Sequence, residues 1–161
     1  DLAILPRPGN LDSQDALHAA IFSHRLVLIM PPSAAAGTGF CRHVAIGWKP
    51  GKLVDEVVLL SMPILRIAER VTLLAVDQQD ADFSHDYVLR TLVELGVEPE
   101  LIRIESSGSQ VGHKLLDEAR RIGAGSLIVG AYRRGQMIEQ ILGGVTRELV
   151  AQSDIPLFLA H

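Results

Sequence analysis

The chain has 161 residues, with 15 Lys and Arg against 19 Asp and Glu, for a net charge of -4. That balance, without any Lys/Arg-rich run, excludes the basic footprint of a nucleic-acid binder, and 48% hydrophobic with 21% charged residues excludes disorder. Cys41 is the single cysteine. It can form no intrachain disulfide, which favours a reducing compartment, so a cytoplasmic location is expected. No apolar run approaches the roughly 18 residues needed to cross a bilayer, so no membrane partner is expected.

In chain order, Asp1 to Leu5 reads as an apolar strand that starts at once, without Met, as in a chain that has been cut or processed. Ser13 to His24 reads as a helix with Ala16, Ala19 and Ala20 inward, and Leu26 to Met30 as a strand ended by Pro31-Pro32. Ser33 to Gly39 is small and flexible in composition, as in a linker. His43 to Trp48 is the next strand, and Leu53 to Arg70 has helical length with Pro63 expected to kink or split it. Val71 to Val76 is a continuous apolar strand. A helix using Tyr87, Val88, Leu92 and Leu95 follows, closed by Gly96. Leu101 to Glu105 is a weaker strand. Ser109 is expected to cap a helix whose inner face is Val111, Leu115, Leu116 and Ala119, with Gly123 and Gly125 at its end. Ser126 to Ala131 is a strand, Val145, Leu149 and Val150 mark a last helix, and Ile155 to Leu159 a last strand.

From residue 43 onward, five strands apolar on both faces alternate with helices, which calls for a doubly wound parallel α/β sheet. Residues 1–32 repeat the strand-helix-strand that ends the chain. The expected division is therefore a remnant of a first copy at 1–32, a linker at 33–41, and a complete domain at 42–161.

The segment carrying most chemistry runs from Gly130 to Thr146, GAYRRGQMIEQILGGVT. It leaves a strand, makes a loop, and enters a helix at Gly143-Gly144. Glycines admit close backbone approach, and a helix N-terminus offers free N–H groups with partial positive charge, a combination suited to phosphate. The alternative is that the two glycines only allow a tight turn. Trp48, at a strand end, either walls a pocket or fills the core. Asp77 and Asp80, past a strand end, suit ribose hydroxyls or Mg²⁺, or else form a polar loop. The six histidines show no metal-ligand spacing, His113 reads as a surface or rim residue, and no G-x-S-x-G elbow is present.

GAYRRGQMIEQILGGVTREL resembles the ligand-loop motif of universal stress proteins: Gly, two residues, Gly, nine residues, Gly, then Ser or Thr. VAIGWKPG, SSGSQVGHKLLDEARRIGAGSLIVGAY and DIPLFLAH are similar to other segments of that family, so the resemblance covers nearly all of 42–161. It implies a five-stranded parallel sheet in the order 3-2-1-4-5, of the adenine nucleotide alpha hydrolase-like type, in a tandem member. It also implies antiparallel pairing of Leu26–Met30 with Ile155–Leu159, within the chain or in a homodimer. The positions that match the family's nucleotide contacts are Trp48, Lys49, Gly130, Arg133, Gly143, Gly144, Val145 and Thr146. Three of them depart from the pattern: Arg133 replaces a Gly, Gly144 a Ser or Thr, and Lys49 an Asp, while Pro6 replaces the loop's first Gly in the partial copy. The resemblance with these departures implies a non-catalytic stress-response or regulatory protein without a cofactor, acting on an unknown protein partner. The alternative is an ATP- or AMP-binding protein, with Mg²⁺, that hydrolyses ATP slowly at most.

Overall fold

The computed structural model describes residues 1–7, 20, 26–32, 38–48, 52–77, 87–106, 110–131 and 144–160. Seven strands form one sheet: β1 (Leu2–Pro6), β2 (Leu26–Met30), β3 (His43–Trp48), β4 (Arg70–Val76), β5 (Glu100–Ile104), β6 (Ser126–Gly130) and β7 (Leu157–Ala160). Their spatial order is β1-β2-β7-β6-β3-β4-β5. All neighbours are parallel except β2 and β7, which pair antiparallel through Val27↔Leu159, Leu28↔Phe158 and Ile29↔Leu157. The sheet has seven strands and is mixed because the strand pair at residues 2–30 joins it through β2, which lies antiparallel to β7 as expected for Leu26–Met30 and Ile155–Leu159.

Four α-helices are described: α1 (Lys52–Leu65), α2 (Tyr87–Glu94), α3 (Val111–Arg121) and α4 (Gly144–Gln152). Strand alternation divides the core between the two faces of the sheet. On one face, Val44, Ile46 and Trp48 of β3, Ile128 of β6 and Phe158 of β7 meet Val57, Val58, Met62 and Leu65 of α1 and Leu92 of α2. On the other, Ala45, Leu127, Val129, Leu157 and Leu159 meet Leu115, Leu116 and Ala119 of α3 and Leu149 and Val150 of α4. Central strands are buried on both faces. Edge strands β1 and β5 are not, contrary to the expectation of uniformly apolar burial, each having one strand neighbour among the described residues.

Several boundaries differ from the sequence reading. α1 is one element through Pro63 and ends at Leu65 rather than Arg70. Pro63 is exposed and two residues from the end, where the N–H it lacks costs the helix a single ladder bond. β7 starts at Leu157 rather than Ile155. Thr38–Cys41, the end of the expected linker, forms a 3-10 turn whose Phe40 ring packs on Phe158 with centroids 6.3 Å apart. A Cβ at Gly125 would stand 2.9 Å from the Gly39 carbonyl oxygen and from Phe40 Cα, so glycine is what lets that turn lie on the sheet.

Both expected glycine stops have a common geometry. Gly96 (φ 80) donates to Val93 O at 3.0 Å and Val97 to Leu92 O at 2.8 Å. Gly123 (φ 69) donates to Arg120 O at 3.0 Å and Ala124 to Ala119 O at 2.8 Å. These are paired Schellman closures, each sealed by a buried apolar contact: Val97 with Leu92, and Ala124 with Ala119.

Candidate functional site

In an open parallel sheet, ligands collect outside the carboxyl ends of the strands where the strand order reverses direction. Here that point lies between β3 and β6, which are adjacent and parallel with Val44↔Ser126, Ala45↔Leu127 and Ile46↔Ile128 in register. Trp48 and Gly130 therefore end neighbouring strands at the same edge. Packing explains the close approach: a Cβ at Gly47 would fall 2.9 Å from Val129 Cγ1 and 3.4 Å from Leu115 Cδ1.

Trp48 itself is a core residue. It is 2% exposed and packs on the α1 face, opposite to the face covered by α4. Of the two roles open to it, filling the core is the one observed, although its indole Nε1–H is buried without a hydrogen-bond partner among the described residues. At the start of α4, Gly144 and Val145 are exposed, and nothing among the described residues lies within 4 Å of a Cβ built on Gly144. Thr146 is buried against the sheet. That first turn presents backbone N–H groups and the exposed Arg147 side chain, and neither Gly144 nor Val145 brings a hydroxyl. Lys49, Arg133 and Gly143, with Asp80, lie outside the described residues.

Asp77 follows β4 at the same edge and has a left-handed backbone (φ 51). Its carboxylate accepts the Ser106 N–H at 2.8 Å and a short hydrogen bond from the Ser106 hydroxyl, while its own N–H donates to Ile104 O at 2.9 Å. It fastens the end of β4 to the end of β5, so the loop role fits it better than a ribose or Mg²⁺ role. Among the described residues there is no cluster of three or more His, Cys, Asp or Glu able to hold a metal ion.

Sequence reading missed Glu148. Gln110 precedes α3 in a left-handed conformation (φ 54) and gives no side-chain cap, while Ser109 lies outside the described residues. The cap comes instead from α4: Glu148 Oε2 accepts the Gly112 N–H at 3.0 Å, and Glu148 Oε1 contacts His113 Nδ1. A Cβ at Gly112 would meet Glu148 Oε2 at 2.5 Å, so the small residue and the carboxylate require each other. His113 is half-buried at this joint rather than a free surface residue. A glycine in the first turn of a helix was the available signal.

The opposite, amino-terminal edge carries most of the charge pairs. Arg42 holds Glu69 bidentately at 2.9 Å, and Arg70 holds Glu100 at 2.6 Å. The guanidinium partners draw both carboxyls below their ordinary range. His43 Nε2 lies 2.9 Å from Thr72 Oγ1, and burial followed by the nearby Arg70 charge lowers its pKa. A cleft of about 380 Å³ opens here beside Arg66, Glu69, Arg70 and Glu98. It lies at the wrong end of the strands for the expected ligand. Burial pushes the Cys41 thiol up, away from the reactive thiolate.

No family model matches this sequence, and no curated protein does. Solved structures do. A universal stress protein from Archaeoglobus fulgidus DSM 4304 superposes with a TM-score of 0.72 at 15% identity, over 99% of this chain and 60% of that one. A functionally unknown protein from Pseudomonas aeruginosa PAO1 superposes at 0.62 and 14% identity, over 99% of this chain and 62% of that one. A protein of the universal stress protein family from Burkholderia pseudomallei gives 0.56 at 16% identity, over 76% of this chain and 97% of that one. The fold is therefore that of universal stress proteins. The chain spans about 60% of the length of the first two structures.

Proposed function

We propose that this chain is a universal stress protein acting in a non-catalytic, regulatory role, with a ligand loop that has lost the means to hold ATP. The observation that carries the proposal is the start of α4. The switch-point edge is built, with Trp48 and Gly130 side by side, yet the helix that would receive a phosphate opens with an exposed Gly144 where the family's pattern has a Ser or Thr. Lys49 and Arg133 add to this, since both replace residues of the family's nucleotide-binding pattern. The neighbouring Asp77 carboxylate is committed to Ser106. In this reading residues 1–32 are the end of a first copy, 33–41 a link and 42–161 a complete copy. The surface formed by the two is what a partner protein engages, in the cytoplasm.

The second reading keeps the nucleotide. Backbone N–H groups at α4, with Arg133 and Lys49 as added charge, would hold the phosphates of ATP or AMP with Mg²⁺. Calorimetric titration of the protein with ATP and AMP in the presence of Mg²⁺ separates the two. Silence up to millimolar nucleotide is expected; micromolar binding of either overturns the first reading in favour of the second.

A further inference from the structure

The two glycine closures share their backbone geometry and differ in what stands against them. At Gly96 and Val97 the end of α2 opens on the cleft beside Arg66 and Glu98, where no histidine is among the described lining residues. At Gly123 and Ala124 the end of α3 meets His43, the first residue of β3. Alternation along β3 turns His43 to the face of Ala45, which α3 covers. Its Nε2 lies 2.9 Å from Thr72 Oγ1 on β4, and the Gly123 and Ile122 carbonyls bear on the ring from the end of α3. Its own carbonyl accepts the Gly125 N–H at 2.8 Å.

The turn Thr38–Cys41 rests on that same Gly125, where a Cβ would come 2.9 Å from Gly39 O and from Phe40 Cα. The turn is closed by the Arg42 N–H, which donates to Gly39 O at 3.1 Å, and is held to β7 by Phe40 on Phe158. It lies on the stretch of chain that joins β2 to β3. His43 therefore stands where the exit of α3, the start of β4 and this joining turn converge.

The surroundings of the half-buried ring favour its neutral form. Burial and the Arg70 charge on β4 oppose protonation. Glu100 on β5 favours it, but that carboxylate is held by Arg70 at 2.6 Å. Arg42, next in the chain, is occupied by Glu69. The turn brings one titratable side chain, Cys41, which burial keeps as the neutral thiol. An imidazolium in this place lacks the water it needs and regains it by swinging out, away from Thr72 and the end of α3.

We infer that His43 is a pH-sensitive clasp: neutral, it fastens the exit of α3 to β4 beneath the joining turn, and protonated, it releases both while the rest of the sheet stays closed. The opened form has an ordinary imidazole, so the clasp is closed above the usual 6.5 and is lost as the pH falls toward the lower folded value. The device is independent of nucleotide binding, and the calorimetric outcome leaves it untouched.

Amide hydrogen exchange followed by NMR tests it, with each rate divided by its intrinsic rate at the same pH. The closure at Val97 serves as the reference, having the same geometry without a histidine. Between about pH 7.5 and 5, protection of the Ala124, Gly125 and Arg42 amides is expected to fall about fivefold or more relative to Val97. The fall is expected to coincide with titration of the His43 ring, followed through its own resonances. In His43→Gln, which does not titrate, the ratio is expected to stay constant. A constant ratio in the parent overturns the inference. So does a fall that departs from the titration of His43, or one that His43→Gln retains. A loss shared equally by the amides of β3 and β4 also overturns it, since the opening would then be global.

Discussion

Glu148 of α4 accepts the backbone N–H of Gly112 in the first turn of α3, 3.0 Å away, so that one helix closes the beginning of another. An N-terminal turn has donors with no partner inside the helix, and a carboxylate is the best acceptor for them. Most helices supply that acceptor from their own N-cap residue. α3 borrows it, because Gln110 is left-handed and does not cap.

Glu148→Ala is therefore expected to lower stability by about 1–2 kcal/mol, the range for loss of a cap. Gly112→Ala in the parent chain is also expected to destabilise, since its Cβ would displace the carboxylate. In the Glu148→Ala background the same change should be neutral or stabilising, because only the helix preference of about 1 kcal/mol for Ala over Gly remains. Urea denaturation of the two single variants and the double variant measures this reversal of sign. Additive effects would refute the coupling.

Asp77 offers a ranking. It combines a left-handed backbone with a carboxylate bound to Ser106. Asp77→Asn keeps both a tolerated conformation and an acceptor, Asp77→Gly keeps only the conformation, and Asp77→Ala keeps neither. Losses of stability are expected in that order, rising to about 2–3 kcal/mol for Ala. Thermal midpoints of the three variants check it, and an Ala variant as stable as the Asn one would contradict it.

Gly47 and Val129 are a close-packed pair across β3 and β6. Gly47→Ala would put its Cβ 2.9 Å from Val129 Cγ1 and is expected to cost about 1–3 kcal/mol, the range for overpacking. Val129→Ala should recover part of that loss when combined with it. A double variant no better than the sum of its parts would show that the crowding lies elsewhere.

His43 sets a pH dependence. Its folded pKa is below the usual 6.5, chiefly through burial and then through Arg70. The unfolded chain therefore takes up the proton first as pH falls. The stability this neutral imidazole contributes is present above the unfolded value and is lost as pH drops toward the folded one. His43→Gln, which can still reach Thr72, is expected to flatten the fall in thermal midpoint as the pH drops below 6.5 relative to the parent. An unchanged slope would assign the dependence to other groups.

The legible parts of this fold were those with local causes. The central strands read correctly because Val44, Leu73, Leu74, Ile128 and Phe158 belong to short apolar runs between polar breaks. Gly96 and Gly123 signalled helix ends because only glycine is comfortable at their dihedrals. What sequence left hidden depended on distant partners. Nothing near Gln110 announces that its helix is capped by a residue on α4. Trp48 looked like a possible pocket wall, and only the alternation of β3 across the sheet puts it under α1. The exposure of Ile4 could not be read from an apolar run, because it depends on the position of β1 at the edge of the described sheet. The switch-point edge was foreseeable from strand order; the occupancy of Asp77 by Ser106 was not.

The antiparallel junction between β2 and β7 also bears on how the chain is made. Leu26–Met30 emerges from the ribosome more than a hundred residues ahead of its partner strand Leu157–Ala160. At translation rates of about 5–20 residues per second, this LVLIM segment spends several seconds without its β7 partner. It is a short, apolar, uncharged stretch of the type that aggregates when left open. The joint that holds the two halves of the sheet together can thus close only after residue 157 has been made, and a nascent chain halted before it would display a sticky strand to chaperones.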